Sequence, residues 1–269
     1  MELLYGLHPV EEAIRSGARR LDYLLVSRER GPRLDKLVEQ ARVAGVRVTL
    51  EGKDQLTKLA KTDAHQGVVA AVRERQFLAL EDLLGTPAAK GRSHRFFLAL
   101  DGVEDPHNLG ALLRSADGAG VDGILIPERR SAPVSGVVAK TSAGASEHVR
   151  IARVVNVTRA LEQMKKANVW VIGLDERGAP DYFDFDFCQD TCLVLGAEGA
   201  GLHDLVKKTC DHLLRIPMQG SVSSLNVSVA GAVVMYEALR QRLAGMTAAS
   251  ASVLAPVAGP VKPRKGLGS

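Results

Sequence analysis

Residues 193–202 read LVLGAEGAGL, an apolar run broken at once by a turn in which three glycines surround Glu198. A short, uniformly apolar segment of this kind fits a strand buried on both faces of a parallel sheet. In open α/β sheets ligands collect just beyond the carboxyl ends of the strands, so the turn at 196–201 is a candidate binding loop. Its glycines permit tight turns and close backbone approach. The spacing is not the dinucleotide G-x-G-x-x-G, no acid lies at the offset such a site needs, and no G-K-[ST] follows. Readings as an NAD-dependent oxidoreductase or an ATP-binding loop therefore lose ground. Two further stretches occupy the same strand-to-helix setting: DPHNLGALLR at 105–114 and RIPMQGSVSSLNVSV at 215–229.

Outward from these turns the chain alternates strands and helices, the pattern of an α/β protein. Strands are expected at 96–100, 123–126, 148–151, 169–174, 191–195 and 212–216. A final helix is expected over 225–243, marked by Val229, Val233, Tyr236 and Leu239. The first 75 residues form their own smaller alternation. Extended segments are expected at 3–5, 21–26, 46–50 and 67–72. Helices are expected at 9–14, stopped by Gly17, at 33–44 with a stripe of Leu34, Leu37, Val38 and Ala41, and at 53–61. Between 76 and 95 the pattern breaks into a short apolar piece and GTPAAKGRSHR, which suits a linker. The domains expected are thus 1–75, a linker at 76–95, 96–243, and a disordered, low-complexity tail at 244–269.

Composition narrows the class. A chain of 269 residues, 46% hydrophobic, has room for about two domains. No stretch approaches the roughly 20 apolar residues of a membrane span, and the start has no basic end followed by an apolar run, so a cytoplasmic location is expected. Cys188, Cys192 and Cys210 contain no C-x-x-C pair, which argues against a disulfide framework and a zinc site and for buried small residues. The net charge of +4 hides a distribution. Residues 1–75 carry 14 basic and 11 acidic side chains, the middle is slightly acidic, and the last 27 residues carry Lys262, Arg264 and Lys265 with no acid. The flanks are the better candidates for touching phosphates.

Taken singly, the polar residues of the three turns have ordinary readings. Asn108 at a helix start can cap free amides, as can Ser221, Ser223 and Ser224 before the last helix. Glu198 can cap a helix near Leu202, orient a basic group or accept a proton. Arg114 lies six residues beyond Asn108, on another face of the same helix. Arginine in an amphipathic helix is usually solvated, but Leu112, Leu113 and Ala116 point to a buried neighbourhood, where a guanidinium needs a phosphate or carboxylate partner.

Together, the three turns resemble the motifs of the SpoU (TrmH) branch of the SPOUT RNA methyltransferases. N-x-G-x-x-x-R corresponds to Asn108, Gly110 and Arg114, L-G-x-E-x-x-G-L to 195–202, and S-x-N-V-S to 224–228. Residues 1–75, with the entry YGLHPV at 5–10, resemble the ribosomal-protein-L30e-like domain that precedes some of these enzymes. The resemblance implies a trefoil-knotted methyltransferase domain behind a smaller RNA substrate-binding domain. It also implies transfer of methyl from S-adenosylmethionine to the ribose 2′-hydroxyl of a guanosine in 23S rRNA. A tRNA methyltransferase of the same branch and a non-catalytic RNA-binding assembly factor are the alternatives. The implied cofactor site comprises Leu195, Gly196, Ala197, Gly199, Gly201, Ile216, Pro217, Met218, Ser224, Leu225 and Asn226. The implied catalytic set is Asn108, Arg114, Glu198, Ser224 and Asn226, with Arg114 as phosphate clamp and alkoxide stabiliser. A homodimer through the knotted domain is implied, and no metal.

Overall fold

A computed structural model describes residues 1–88 and 92–253. The N-terminal unit runs β1 (Glu2–Tyr5), α1 (Leu7–Ser16), β2 (Leu21–Ser27), α2 (Pro32–Val43), β3 (Arg47–Glu51), α3 (Lys53–Ala60) and β4 (Val68–Val72). Its sheet has the order β1-β4-β2-β3, with β4 antiparallel to both neighbours and β3 parallel to β2. The uniformly apolar VVAAV takes an interior position and is buried at every residue, while the edge strand β3 stays largely open. Proline in the first turn of α2 and Gly17, left-handed at φ 60° after α1, mark those helix ends as the residue types require. The stripe Leu34, Leu37, Val38 and Ala41 is buried.

The larger unit runs α4 (Leu80–Gly85), β5 (Phe96–Asp101), α5 (Pro106–Ala119), β6 (Gly123–Pro127), α6 (Gly136–Thr141), β7 (Ile151–Val154), α7 (Val157–Lys166), β8 (Trp170–Leu174), β9 (Thr191–Gly196), α8 (Asp204–Thr209), β10 (His212–Leu214) and α9 (Val227–Val253). The strands are parallel, in the order β10-β8-β9-β5-β6-β7. Central β5, β6 and β9 are buried throughout, as their unbroken apolar sequences require, and separate cores form on the two faces. The order reverses between β5 and β9, where Asp101 pairs with Gly196, so the first two motif turns leave the sheet side by side at its switch point.

Several boundaries move. The strand expected at 148–151 is Ile151–Val154, because Ala145–Glu147 closes a 3-10 turn first. The expected linker is only partly a connector: Leu78 N–H donates to the Ile151 carbonyl at 2.9 Å, and Leu80 and Leu83 are buried against Phe97 and Leu125. Within FLALEDLL, Leu78 bridges to Ala152 in β7, and α4 from Leu80 onward covers the second core. The last helix buries Gly231, Val234, Met235 and Ala238, whereas Val229 and Tyr236 from the expected stripe are 48% and 51% exposed. In a helix apolar nearly all round, sequence cannot tell which stripe faces inward. The helix also continues through Val253 into the expected tail; residues 254–269 lie outside the described ones.

The two units meet along α6 and the 3-10 turn. Ala139 joins the N-terminal core, and the Glu147 carboxylate, fully buried, accepts from Arg19 Nε and Nη2 at 2.8 and 2.7 Å and from Arg75 Nη2 at 3.0 Å.

Candidate active site

The first motif turn is organised by Asp105, whose carboxylate accepts the Asn108 backbone N–H at 2.9 Å and caps α5. Asp105, not Asn108, is therefore the cap, and the buried Asn108 side chain is released for another contact. Its Nδ2 donates to Glu198 Oε2 at 2.9 Å. Asn226 Nδ2 donates to Asn108 Oδ1 at 3.0 Å and to Glu198 Oε1 at 3.3 Å. Asn226 Oδ1 accepts from Ser228 N–H and Oγ–H at 2.9 and 2.6 Å, tying the triangle to the start of α9. Three residues separated by as much as 118 positions thus form one polar cluster, one from each motif. Glu198 does not cap α8; its two oxygens are held by neutral amides.

Glycine is required where the second motif folds back on itself. A Cβ on Gly196 would overlap the backbone of Gly201 and Leu202, and Gly199 and Gly201 adopt φ of 75° and 67°. The turn closes with Ala197 and Gly201 bridged to each other. Beside it lies a cavity of about 480 Å³, within the size range of small-molecule sites. Of the cofactor residues expected, Leu195, Gly196, Ala197, Gly199, Gly201, Ile216, Met218, Ser224 and Leu225 line this cavity. Pro217 lines an adjoining depression, and Asn226 belongs to the polar cluster at its side.

Sequence reading missed the segment after β8, where Asp175, Glu176 and Arg177 join the lining together with Asp204 and Lys207. The available signal was a charged D-E-R following the apolar VWVIGL, another strand end on the same edge of the sheet. Burial pushes the Asp175 carboxyl up, but the hydrogen bond from Lys207, the Arg177 N–H and their charges outweigh it, leaving the group below the usual carboxylate range. The cavity fits S-adenosylmethionine in kind. Leu195, Ile216 and Leu225 offer apolar surface for the adenine, glycine backbone allows close approach, and the carboxylates suit its sulfonium and ammonium charges.

Arg114 departs from expectation. Gly110 lets α5 approach α6 so closely that a Cβ there would overlap the Thr141 side chain, and Leu112 and Leu113 are buried. Arg114, roughly 9 Å along the helix from Asn108 and on another face, is exposed and makes no hydrogen bond or ion pair among the described residues. Neither Glu198 nor Ser224 orients it within this chain. Ser224, also exposed, lines the cavity wall without contacting Arg114.

The profile of the SpoU rRNA Methylase family matches residues 95–236, and that of RNA 2′-O ribose methyltransferase substrate binding matches residues 3–78. The 23S rRNA (guanosine-2′-O-)-methyltransferases RlmB of Ralstonia nicotianae and Pseudomonas aeruginosa are 42% and 41% identical to the chain. The alignments cover 90% of this chain and 96% and 97% of those proteins. Among solved structures, the SpoU methyltransferase AviRb of Streptomyces viridochromogenes in complex with AdoMet superposes with a TM-score of 0.75 at 29% identity, covering 90% of this chain and 91% of that one. Fold, clustered motif residues and these likenesses agree, and the chain belongs to the SpoU rRNA methylase family.

Proposed function

We propose that the chain transfers a methyl group from S-adenosylmethionine to the ribose 2′-hydroxyl of a guanosine in 23S rRNA. The observation that carries this reading is the Asn108–Glu198–Asn226 cluster beside the glycine-lined cavity. When bound, the cofactor supplies an electrophilic methyl on a sulfonium sulfur. That methyl would pass to the ribose oxygen in exchange for the sulfonium bond, and Glu198 or solvent would take the hydroxyl proton. Asn108 and Asn226 hold the Glu198 carboxylate in place without neutralising it, so its charge is available to a cationic group or to the leaving proton. Gly196 to Gly201 and Ile216 to Met218 receive the cofactor, and Ser224 and Leu225 close its side. The knotted threading of the chain around this cavity belongs to the same proposal, as does a cytoplasmic location. Among the described residues no helix is long and apolar enough to cross a membrane.

A homodimer completes the site. Val229, Tyr236 and Leu243 form an outward row on α9 at spacings of seven, apolar and half-exposed, beside α5. A second copy packing there covers that row and brings its Arg114 to the neighbour's pocket, which accounts for a guanidinium without a partner among the described residues of its own chain. Arg114 then clamps the target phosphate and stabilises the developing alkoxide, since a guanidinium stays protonated.

Methyl transfer from labelled cofactor to a 23S rRNA transcript, followed by mapping of the 2′-O-methyl position, tests the reaction. Methylation of tRNA in place of rRNA overturns the substrate assignment. Sedimentation of wild type and Tyr236→Asp tests the assembly: a dimer that dissociates on substitution is expected, and a monomeric wild type overturns it.

A further inference from the structure

The segment between β6 and α6 carries Glu128, Arg129, Arg130 and Ser131, all outside the cavity lining. Arg129 and Arg130 are exposed, and neither makes an ion pair or side-chain hydrogen bond among the described residues. By contrast Arg19 and Arg75, at the junction of the two units, are engaged with Glu147. The loop that presents the pair is nonetheless firmly built. Ser131 Oγ–H donates to the Pro127 carbonyl at 2.6 Å, Ala132 is buried, and Ala132 N–H donates to the Val103 carbonyl at 2.9 Å. Val103 lies two residues before Asp105, the cap that positions Asn108. Arg130 holds φ of 57°, a left-handed conformation that costs an arginine roughly 1 kcal/mol or more and persists where surrounding contacts enforce it.

The helix that follows the loop, α6, and the 3-10 turn after it reach the N-terminal unit. Gly136 sits so close under β1 that a Cβ there would strike the Leu3 carbonyl, Lys140 Nζ donates to the Ala64 carbonyl, and Glu147 is locked by Arg19 and Arg75. The loop therefore runs from a contact beside the first motif turn to α6, which carries the seam with the N-terminal unit, and it presents two guanidiniums that have no partner among the described residues. Its location at the carboxyl end of β6 places it on the same edge of the parallel sheet as the cavity.

We infer that Arg129 and Arg130 form a phosphate clamp for the substrate RNA, fixing the backbone of nucleotides flanking the target between the two units. This rests on the RNA-methylating reading above and adds to it a binding element in a region whose net charge is acidic. Guanidinium forks match phosphate oxygens in pairs, and each phosphate contact releases counterions.

The test compares wild type, Arg129→Ala/Arg130→Ala and Arg129→Lys/Arg130→Lys in binding and methylation of a 23S rRNA transcript over a salt series. The alanine pair is expected to raise KM for RNA about tenfold and to reduce the slope of log Kd against log salt by about 0.7 per lost contact, with kcat near wild type. The lysine pair, which keeps the point charges, is expected to retain the wild-type slope. S-adenosylmethionine affinity and the thermal midpoint serve as fold controls, and Arg129→Glu alone replaces the alanine pair if that variant is unstable. Unchanged KM and slope in a folded variant overturn the clamp while leaving the methyltransferase reading intact. A wild type that neither binds nor methylates the transcript overturns both, and is recognised without any variant.

Discussion

Two carboxylates in this molecule sit among nitrogen donors, and their surroundings are opposite. Glu147, at the seam between the units, is sealed from solvent and faces two guanidiniums. Glu198, in the glycine turn, is exposed and is held by the neutral amides of Asn108 and Asn226. A charge buried with its counter-charges is satisfied and has no further ligand to seek; removing one partner leaves the others stranded. A charge oriented by uncharged donors keeps its field and can act on whatever enters the adjacent cavity. The difference separates an acid that docks domains from one that is free to act on a ligand, although both are glutamates on turns.

The largest expected effect breaks the first carboxylate. Glu147→Gln leaves Arg75 buried without its carboxylate and Arg19 with Glu2 alone, and urea unfolding is expected to show a loss of about 3–5 kcal/mol, with no change in methyl-transfer chemistry at temperatures where the variant is folded. A loss below about 1 kcal/mol would make the seam dispensable. Glu198→Gln is expected to do the reverse: the unfolding midpoint stays close to wild type while kcat falls about 100-fold. Arg114→Ala is expected to lower kcat about as much, with cofactor affinity in calorimetry within a few-fold of wild type. Loss of cofactor binding would instead assign Arg114 to the pocket.

Smaller effects sharpen the contrast. Asn226→Ala removes both a hold on Glu198 and the cap of α9, so a stability loss of about 1 kcal/mol accompanies its drop in rate. Asp175 provides the pH counterpart. Its carboxyl is lowered on folding, so its contribution to stability is present above the unfolded value of roughly 3.9 and is lost as pH falls through the folded value. Lys207→Met removes the Lys207 share of that lowering, so stability is expected to fall in the neutral range while the difference from wild type closes as pH drops below about 4, flattening the acid limb of the stability–pH curve. An acid limb as steep as that of wild type would mean that Lys207 does not set the Asp175 carboxyl.

Legibility in the sequence followed the strength of local signals. Unbroken apolar runs such as VVAAV and LVLG identify buried strands because no other setting hides every residue of a short extended segment. Residues Asn108, Glu198 and Asn226 were readable as a set through the motif resemblance, yet Asp105 as the true cap and the Asn108–Glu198 bond were not, since capping and contact compete for the same side chain. The last helix shows the limit most plainly: with Val229, Val233, Val234, Met235 and Tyr236 all apolar, periodicity offered two stripes, and packing on Leu112 and Leu195 selected the one through Gly231. FLALEDLL read as part of a linker because a six-residue helix carries too few turns to display a period.

Sequence by itself determined the order of strands and helices, the three turns at strand ends and the family to which those turns point, because these depend on contacts between near neighbours and on residue types with few alternatives. Tertiary structure alone decided that Glu147 is a sealed docking acid, that Asp175 and Lys207 belong to the cavity, that Arg114 is exposed and outside the lining of that cavity, and that Arg129 and Arg130 stand exposed on the loop before α6. Those outcomes depend on which distant surfaces meet, and a side chain's charge has no fixed meaning until burial and its partners set the field around it.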